Sequence, residues 1–331
     1  MTADWRPTAT RSALEQRARL LQTIRAFFAA RAVLEVETPA LVRAGVTDPN
    51  LGSITALSGG AGVTLPFYLH TSPEYAMKRL LASGSGDIYQ ICKVYRANER
   101  GKLHNPEFTL LEWYRVGVSL DTLMAEVAEL VNAVLRASAT TTIAAPGRPI
   151  EYVTYQDALR QHAGIDPLEG SPCDWAATAR AAGLSMASIE TAAPDALLDF
   201  LVGTRVGPRL GRDRLTFLHR YPRSQAALAR LDPLDARVAL RFELYADGVE
   251  LANGFHELAD ADEQRARFDA DNRARQRLGL PVVTADAALI AALEHGLPDC
   301  CGVALGLDRA LMIASGSANI DDVLSFPIER A

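Results

Sequence analysis

Leu103–Tyr114, "LHNPEFTLLEWY", sets a glutamate in the middle of a strand-like run of large apolar side chains. A carboxylate in such company is costly unless something cationic meets it. Side chains alternate across a strand, so Phe108, Leu110, Glu112, Tyr114 and Val116 share one face, and Thr109, Leu111, Trp113 and Arg115 the other. Glu112 and Tyr114 are then neighbours: a carboxylate beside a phenol, a pair that suits an ammonium ion. The competing reading is a half-solvated glutamate beside an exposed tyrosine.

Upstream, Ile88–Tyr95, "IYQICKVY", reads as a second strand by its β-branched and aromatic content, and the polar loop "RANERGKLHNPE" between the two predicts an antiparallel pair. The loop gathers Arg96, Asn98, Glu99, Arg100, Lys102, His104 and Asn105. A guanidinium fork there matches a phosphate or a carboxylate; plain solvation of the loop is the alternative. Before these strands, "TLPFYLH" (Thr64–His70) reads as a strand. Ser72 reads as the cap of a helix with Pro73 at its first position, Glu74 in its first turn and Gly84 at its end. Arg11–Arg31 is helical, with Leu14, Ala18, Leu21, Ile24, Phe27 and Phe28 at helical spacing. Pro39 closes the extended run "LEVETP".

Downstream, Asp121–Arg136 is helical, and the Ala- and Arg-rich stretch from Ala137 to Pro233 reads as short helices with a strand near Leu215–Leu218. Arg237–Tyr245 and Val249–Phe255 form a hairpin about Asp247-Gly248. If Ala246 pairs with Val249, then Tyr245 faces Glu250 and Glu243 faces Ala252, so Glu243, Tyr245, Glu250, Ala252 and Gly254 share a face. Two carboxylates brought together in this way repel unless a cation intervenes. Mg²⁺ is the natural candidate, because it takes one or two carboxylates plus substrate phosphates; solvated acids on an exposed hairpin are the alternative. Strict alternation turns Asn253 and Glu257 the other way. A bulge at Gly254 would bring Glu257 round, and Asn253 would need an irregularity of its own. Asp260–Leu278 and Asp286–His295 read as helices. Gly302–Gly306 is a strand whose last glycine allows close approach of a ligand. Asp308 is placed to cap the next helix, and Arg309, in its first turn, opposes the helix dipole and so reads as a reaching group.

The chain has 331 residues, net charge −6, and 49% hydrophobic and 22% charged residues. No basic tail speaks for a nucleic-acid partner. Cys92, Cys173, Cys300 and Cys301 form no CxxC pair, which predicts a reduced cytoplasmic protein without a zinc site. No apolar run reaches membrane-spanning length. The element pattern predicts one α+β domain, 1–331, built on an antiparallel sheet flanked by helices.

Four segments, in order, resemble the catalytic domain of class II aminoacyl-tRNA synthetases, in particular the lysine branch. "RSALEQRARLLQTIRAFFAARAVLEVETP" resembles motif 1, which builds the dimer interface; "VYRANERGKLHNPEFTLLEWY" resembles motif 2; "GVALGLDRALM" resembles motif 3; "FELYADGVELANGFHEL" resembles the segment that supplies acids for metal and substrate. Motif 1 begins about ten residues in and motif 3 nearly ends the chain, which leaves no room for an anticodon-binding domain. The chain is therefore similar to the stand-alone paralogues of that branch, which ligate (R)-β-lysine to a lysine side chain of elongation factor P.

The resemblance implies a homodimer that uses ATP and Mg²⁺ on (R)-β-lysine or lysine, with elongation factor P rather than tRNA as acceptor. It implies Arg96 and Arg309 as the catalytic arginines, on the α-phosphate and γ-phosphate. ATP contacts would come from Arg96, Asn105, Glu243, Leu244, Gly306 and Arg309, and from Asn98 or Glu99. The terminal ammonium would go to Glu112, Tyr114 and Glu257, and the other amine to Ser72 and Glu74. Asn253 would line the substrate pocket, and Glu243 and Glu250 would hold the metal, with Glu250 also facing the substrate. Two departures stand out. The family often reads Arg-Asn-Glu where this chain reads Arg96-Ala97-Asn98-Glu99. Ala304 stands where lysyl-tRNA synthetases tend to have glycine, a methyl that narrows the pocket and favours a shifted amine. A truncated synthetase charging tRNA or a small amine, and a non-catalytic lysine- or ATP-binding regulator, are the competing readings.

Overall fold

The computed structural model describes residues 5–57, 66–138, 147–185, 189 and 193–331. In chain order the elements begin with α1 (Arg11–Ala29), β1 (Leu34–Glu35), β2 (Leu41–Val42), β3 (Ile54–Leu57), β4 (Pro66–Leu69), α2 (Glu74–Ala82), β5 (Ile88–Tyr95), β6 (Glu107–Val116) and α3 (Leu120–Ser138). They continue with β7 (Ile150–Thr154), α4 (Tyr155–Ala163), α5 (Pro172–Ala181), α6 (Pro194–Leu201), β8 (Leu215–Pro222), β9 (Val238–Ala246) and β10 (Val249–His256). The last are α7 (Ala261–Arg277), α8 (Ala287–Gly296), β11 (Cys300–Gly306) and α9 (Leu307–Ser315). Of the expected strand Thr64–His70, β4 covers Pro66–Leu69; Thr64 and Leu65 lie outside the described residues. The chain divides into two compact units: Met1–Val118, Ala133–Ala144 and Leu258–Ala331 make one, and Ser119–Asn132 with Ala145–Glu257 the other.

In the first unit the strand order is β1-β5-β6-β11. β5 and β11 both run antiparallel to β6, which places Gln90 on one side of Glu112 and Ala304 on the other. β1 departs from the expected antiparallel pattern and pairs parallel with β5, because the chain between them travels through other elements before returning. One sheet face carries Tyr89 and Trp113, and α1 covers it. Phe28 stacks on Tyr89 at 4.3 Å and meets Trp113 edge-on at 5.5 Å. Such aromatic contacts add to burial of about 150–250 Å² per ring, and they set the rotation of the helix. Its buried stripe is Ala13, Gln16, Leu20, Ile24, Phe27 and Phe28. Leu14 and Ala18, read from the sequence as inward, are exposed; Leu14 lies roughly 100° round the helix from the middle of that stripe.

In the second unit the order is β10-β9-β8-β7, with β8, β9 and β10 antiparallel. β7, which sequence periodicity did not reveal, pairs parallel with β8. α4, α5 and α6 supply the crossover that a parallel pair requires. Tyr155, Leu159, Trp175, Leu197, Leu201 and Val206 pack with Leu218 and Tyr245 as its apolar core. The hairpin turn is as the sequence predicts: Asp247 and Gly248 both take positive φ, 51° and 82°, the twist a two-residue hairpin loop demands.

Candidate active site

In the first unit, β6 carries Glu112 and Tyr114 on the face away from Phe28, and both are only 2% exposed. That excludes the half-solvated reading. Tyr114 Oη donates to Glu112 Oε1 at 2.6 Å, and Ser72 Oγ donates to Glu112 Oε2 at 2.8 Å. Pro73 already has helical backbone angles, so Ser72 stands just before the first helical position, as the sequence predicts: its hydroxyl oxygen accepts from the Glu74 amide at 3.0 Å, and its proton turns to Glu112. One turn on, Lys78 Nζ donates to Glu74 Oε1 at 2.7 Å, with the Lys78 side chain 1% exposed. Burial, and next the Glu74 charge, push the Glu112 carboxyl up to about 7, against the hydrogen bonds from Tyr114 and Ser72 and the Lys78 charge. A buried acid with a raised pKa beside hydroxyl donors is suited to receive an ammonium ion.

The loop between β5 and β6 turns through Asn98, which has φ 65°, a conformation asparagine tolerates better than most residues. Arg96 lies 3.8 Å from Glu99 as an ion pair and stands 5.1 Å over the Phe108 ring. Asn105 is buried, with Nδ2 donating to Glu107 O at 2.6 Å and Oδ1 accepting from the Ile328 amide at 3.1 Å; its side chain fastens the end of the loop. Arg309 Nε donates to Leu103 O at 3.2 Å, and its Nη2 meets His104 Nε2 at 2.7 Å. The arginine must donate, so the histidine accepts as a neutral ring; burial, and then the Arg309 charge, hold the His104 pKa low.

Asp308 does not cap α9. Gly306 is the cap residue, and Asp308 is 1% exposed. Its Oδ2 accepts from the Thr109 amide at 2.7 Å, and its Oδ1 accepts from Arg17 Nη2. The carboxylate thus ties α9 to β6 and α1.

In the second unit the hairpin register differs from strict alternation. Glu250 faces Tyr245 as expected, but a bulge between Glu250 and Ala252 moves Ala252 opposite Leu244 and Asn253 opposite Glu243. The irregularity therefore lies before Asn253 rather than at Gly254, and by alternation beyond it Asn253 and Glu257 come to the Glu243 face. Glu257 is 4% exposed. Leu244 is fully buried on the opposite face, so any contact it makes with a nucleotide falls to its main chain.

Glu243 is not a bare acid. Arg241 Nη2 donates to Glu243 Oε1 at 2.6 Å and Tyr245 Oη donates to Oε2 at 2.8 Å. Arg241 also donates to Gln225 O at 2.8 Å and to Asn253 Oδ1 at 3.2 Å, and its guanidinium lies 4.2 Å over Tyr221. Burial, and then the Glu250 charge, push the Glu243 carboxyl up, against Arg241. Among the described residues no three His, Cys, Asp or Glu side chains gather as a metal cage. A pair of hard carboxylates of net excess negative charge fits Mg²⁺, which draws its remaining ligands from water and phosphate.

Sequence reasoning missed three partners here. Lys78 stands four residues after Glu74, a spacing that marks a helical ion pair. Arg241 stands two residues before Glu243 and shares its face. Arg17 carries no local signal. No helix of the described residues is long and apolar enough to cross a membrane, and all four cysteines are free thiols.

The family model of class II tRNA synthetases (D, K and N) matches residues 2–330, and the chain belongs to that family. Within it, the chain is 46% identical to the elongation factor P–(R)-beta-lysine ligase of Yersinia enterocolitica, over 100% of this chain and 99% of the relative. It is 48% identical to the protein of the same name from Vibrio cholerae, over 99% of each. The corresponding Pseudoalteromonas translucida protein is 47% identical over 99% of this chain and 98% of the relative.

Proposed function

We propose that this chain is an ATP-dependent, AMP-forming ligase that activates (R)-β-lysine and transfers it to a lysine side chain of elongation factor P. The observation that carries the reading is the buried Glu112 carboxyl, held between Tyr114 and Ser72 and kept near neutrality until a cation reaches it. The names of the relatives supply the acceptor.

In this reading Glu112 and Tyr114 receive the terminal ammonium. Ser72 and the second carboxylate oxygen of Glu74 meet the other amine. The substrate carboxylate attacks the α-phosphate of ATP; the bond to the β-phosphate breaks and pyrophosphate leaves. Arg96 and Arg309 align and offset the charge that develops. Glu243 and Glu250 would hold Mg²⁺, which neutralises phosphate charge when bound. The acceptor amine then attacks the acyl carbon, and AMP leaves. We further propose a single catalytic domain acting as a cytoplasmic homodimer, without tRNA; exposed Leu14 and Leu34 in the motif 1 segment support the dimer.

ATP–pyrophosphate exchange dependent on (R)-β-lysine tests the first step, and its absence with every lysine isomer would leave a binding module. Intact-mass analysis of elongation factor P and of tRNA after incubation with enzyme and ATP tests the second. A mass increase on tRNA alone would replace the protein ligase by a truncated synthetase.

Ala304 stands directly opposite Glu112 on the adjoining strand, so its methyl borders the ammonium receptor. Ala304→Gly is expected to lower the preference for (R)-β-lysine over lysine about fivefold or more, a difference on the order of 1 kcal/mol. The kcat/KM ratio in the exchange assay reads it, and an unchanged ratio removes Ala304 as a selector.

A further inference from the structure

Three residues form a row across the first unit's sheet: Gln90 on β5, Glu112 on β6 and Ala304 on β11. Directly opposite residues point to one side of a sheet, with Cβ atoms about 5 Å apart. On that face β11 offers only Gly302, Ala304 and Gly306, opposite Tyr114, Glu112 and Leu110. On that face β11 thus sets no side chain larger than a methyl beside the carboxylate.

Gln90 is 3% exposed, and its Oε1 is buried without a hydrogen-bond partner. An amide oxygen left this way costs about 1–3 kcal/mol, and such groups in a folded protein call for a reason. Both oxygens of the neighbouring Glu112 are already engaged by Tyr114 and Ser72. A primary ammonium brings three N–H donors, more than Glu112 alone can meet.

We propose that Gln90 is a substrate-binding residue: its Oε1 accepts one N–H of the primary ammonium held at Glu112, and so selects a charged terminal amine over an uncharged chain end. The inference rests on the function proposed above and adds a residue to it. A methyl in the same place would leave the oxygen unmet, whereas an ammonium meets it and still has donors for Glu112. The orphan oxygen and the ladder register each point to the same occupant.

The test is Gln90→Met, which keeps the volume and removes the acceptor. The unfolding temperature is expected to hold or rise. The KM for (R)-β-lysine in ATP–pyrophosphate exchange is expected to rise about tenfold, while the KM for ATP stays within about twofold. Competitive inhibition by 3-aminohexanoic acid, which lacks the terminal ammonium, is expected to stay unchanged. Gln90→Glu keeps an oxygen in place and is expected to hold the KM for (R)-β-lysine within about threefold at pH 8.5. An unchanged amine KM in Gln90→Met overturns the proposal. So does an equal loss in both variants, or equal weakening of (R)-β-lysine and 3-aminohexanoic acid, because either result makes Gln90 a spacer. Exchange by the unaltered protein is measured first. Its absence refutes the ligase reading itself, an outcome separate from a silent Gln90.

Discussion

Glu112→Gln is expected to make the protein more stable above pH 7 and to disable it. Burial and the Glu74 charge raise the Glu112 carboxyl to about 7. Below about pH 4.5 folded and unfolded chains both hold the proton, so the group contributes nothing. Between about 4.5 and 7 the unfolded chain has released a proton that the folded chain retains, so stability falls as pH rises. Above 7 the penalty is constant, on the order of 3 kcal/mol. Glutamine escapes it: its oxygen still accepts from Tyr114, and its amide can donate to Ser72. Thermal unfolding from pH 5 to pH 8 should show the two proteins converging at the acid end and the variant ahead by a few degrees at the other. Catalysis moves the opposite way. Loss of the Glu112 charge removes about 3–5 kcal/mol of binding, so kcat/KM for (R)-β-lysine is expected to fall at least a hundredfold, with the KM for ATP unchanged. In the unaltered enzyme the KM for the amine should rise as pH drops below 7, where Glu112 takes up its proton. A variant less stable at pH 8, or one that still activates the amine well, removes Glu112 from the role given to it.

What the sequence made legible were features whose cause is local. β5 runs from Ile88 to Tyr95 as read, because five of its eight residues, Ile88, Tyr89, Ile91, Val94 and Tyr95, are aromatic or β-branched and favour a strand. The Asp247-Gly248 turn followed from two residues that accept positive φ. The shared face of Glu112 and Tyr114 followed from period two alone. The failures have remote causes. The bulge falls at Leu251, a residue with no bulge character, while the nearby glycine that suggests one is regular. It puts Asn253 opposite Glu243, the placement that motif resemblance implied and alternation denied. Asp308 carries local capping chemistry and spends it elsewhere, whereas Ser72 caps with its oxygen and gives only its proton to another element. A stronger partner arrives from another strand or helix, and a buried carboxylate cannot be left unmet. Gln90 looks ordinary until β6 is laid beside it.

Asp308 therefore yields the largest expected loss of stability. Its carboxylate is 1% exposed and accepts from the Thr109 amide at 2.7 Å and from Arg17. Arg17 also donates to Val323 O at 2.9 Å, so the pair joins α1, β6, α9 and the chain near Val323. Asp308→Ala strips the partner from a largely buried guanidinium and from a strand amide together. Removing one member of such a pair costs about 3–5 kcal/mol, against about 1 kcal/mol for loss of a helix cap. Urea unfolding therefore separates the structural role from the one its sequence position suggests. Asp308→Asn keeps an acceptor for Thr109 and loses the charge, so it should fall between. Arg17→Met with Asp308→Leu removes both charges at once and should recover much of the loss. Activity should follow geometry rather than charge here. Arg309 is the next residue, and its reach to Leu103 and His104 depends on where α9 begins. Conditions that keep Asp308→Asn folded should still show a lowered kcat for exchange, with the amine KM little changed. A loss below about 1 kcal/mol in Asp308→Ala would return Asp308 to the surface role of a cap and leave the seating of Arg309 to other contacts.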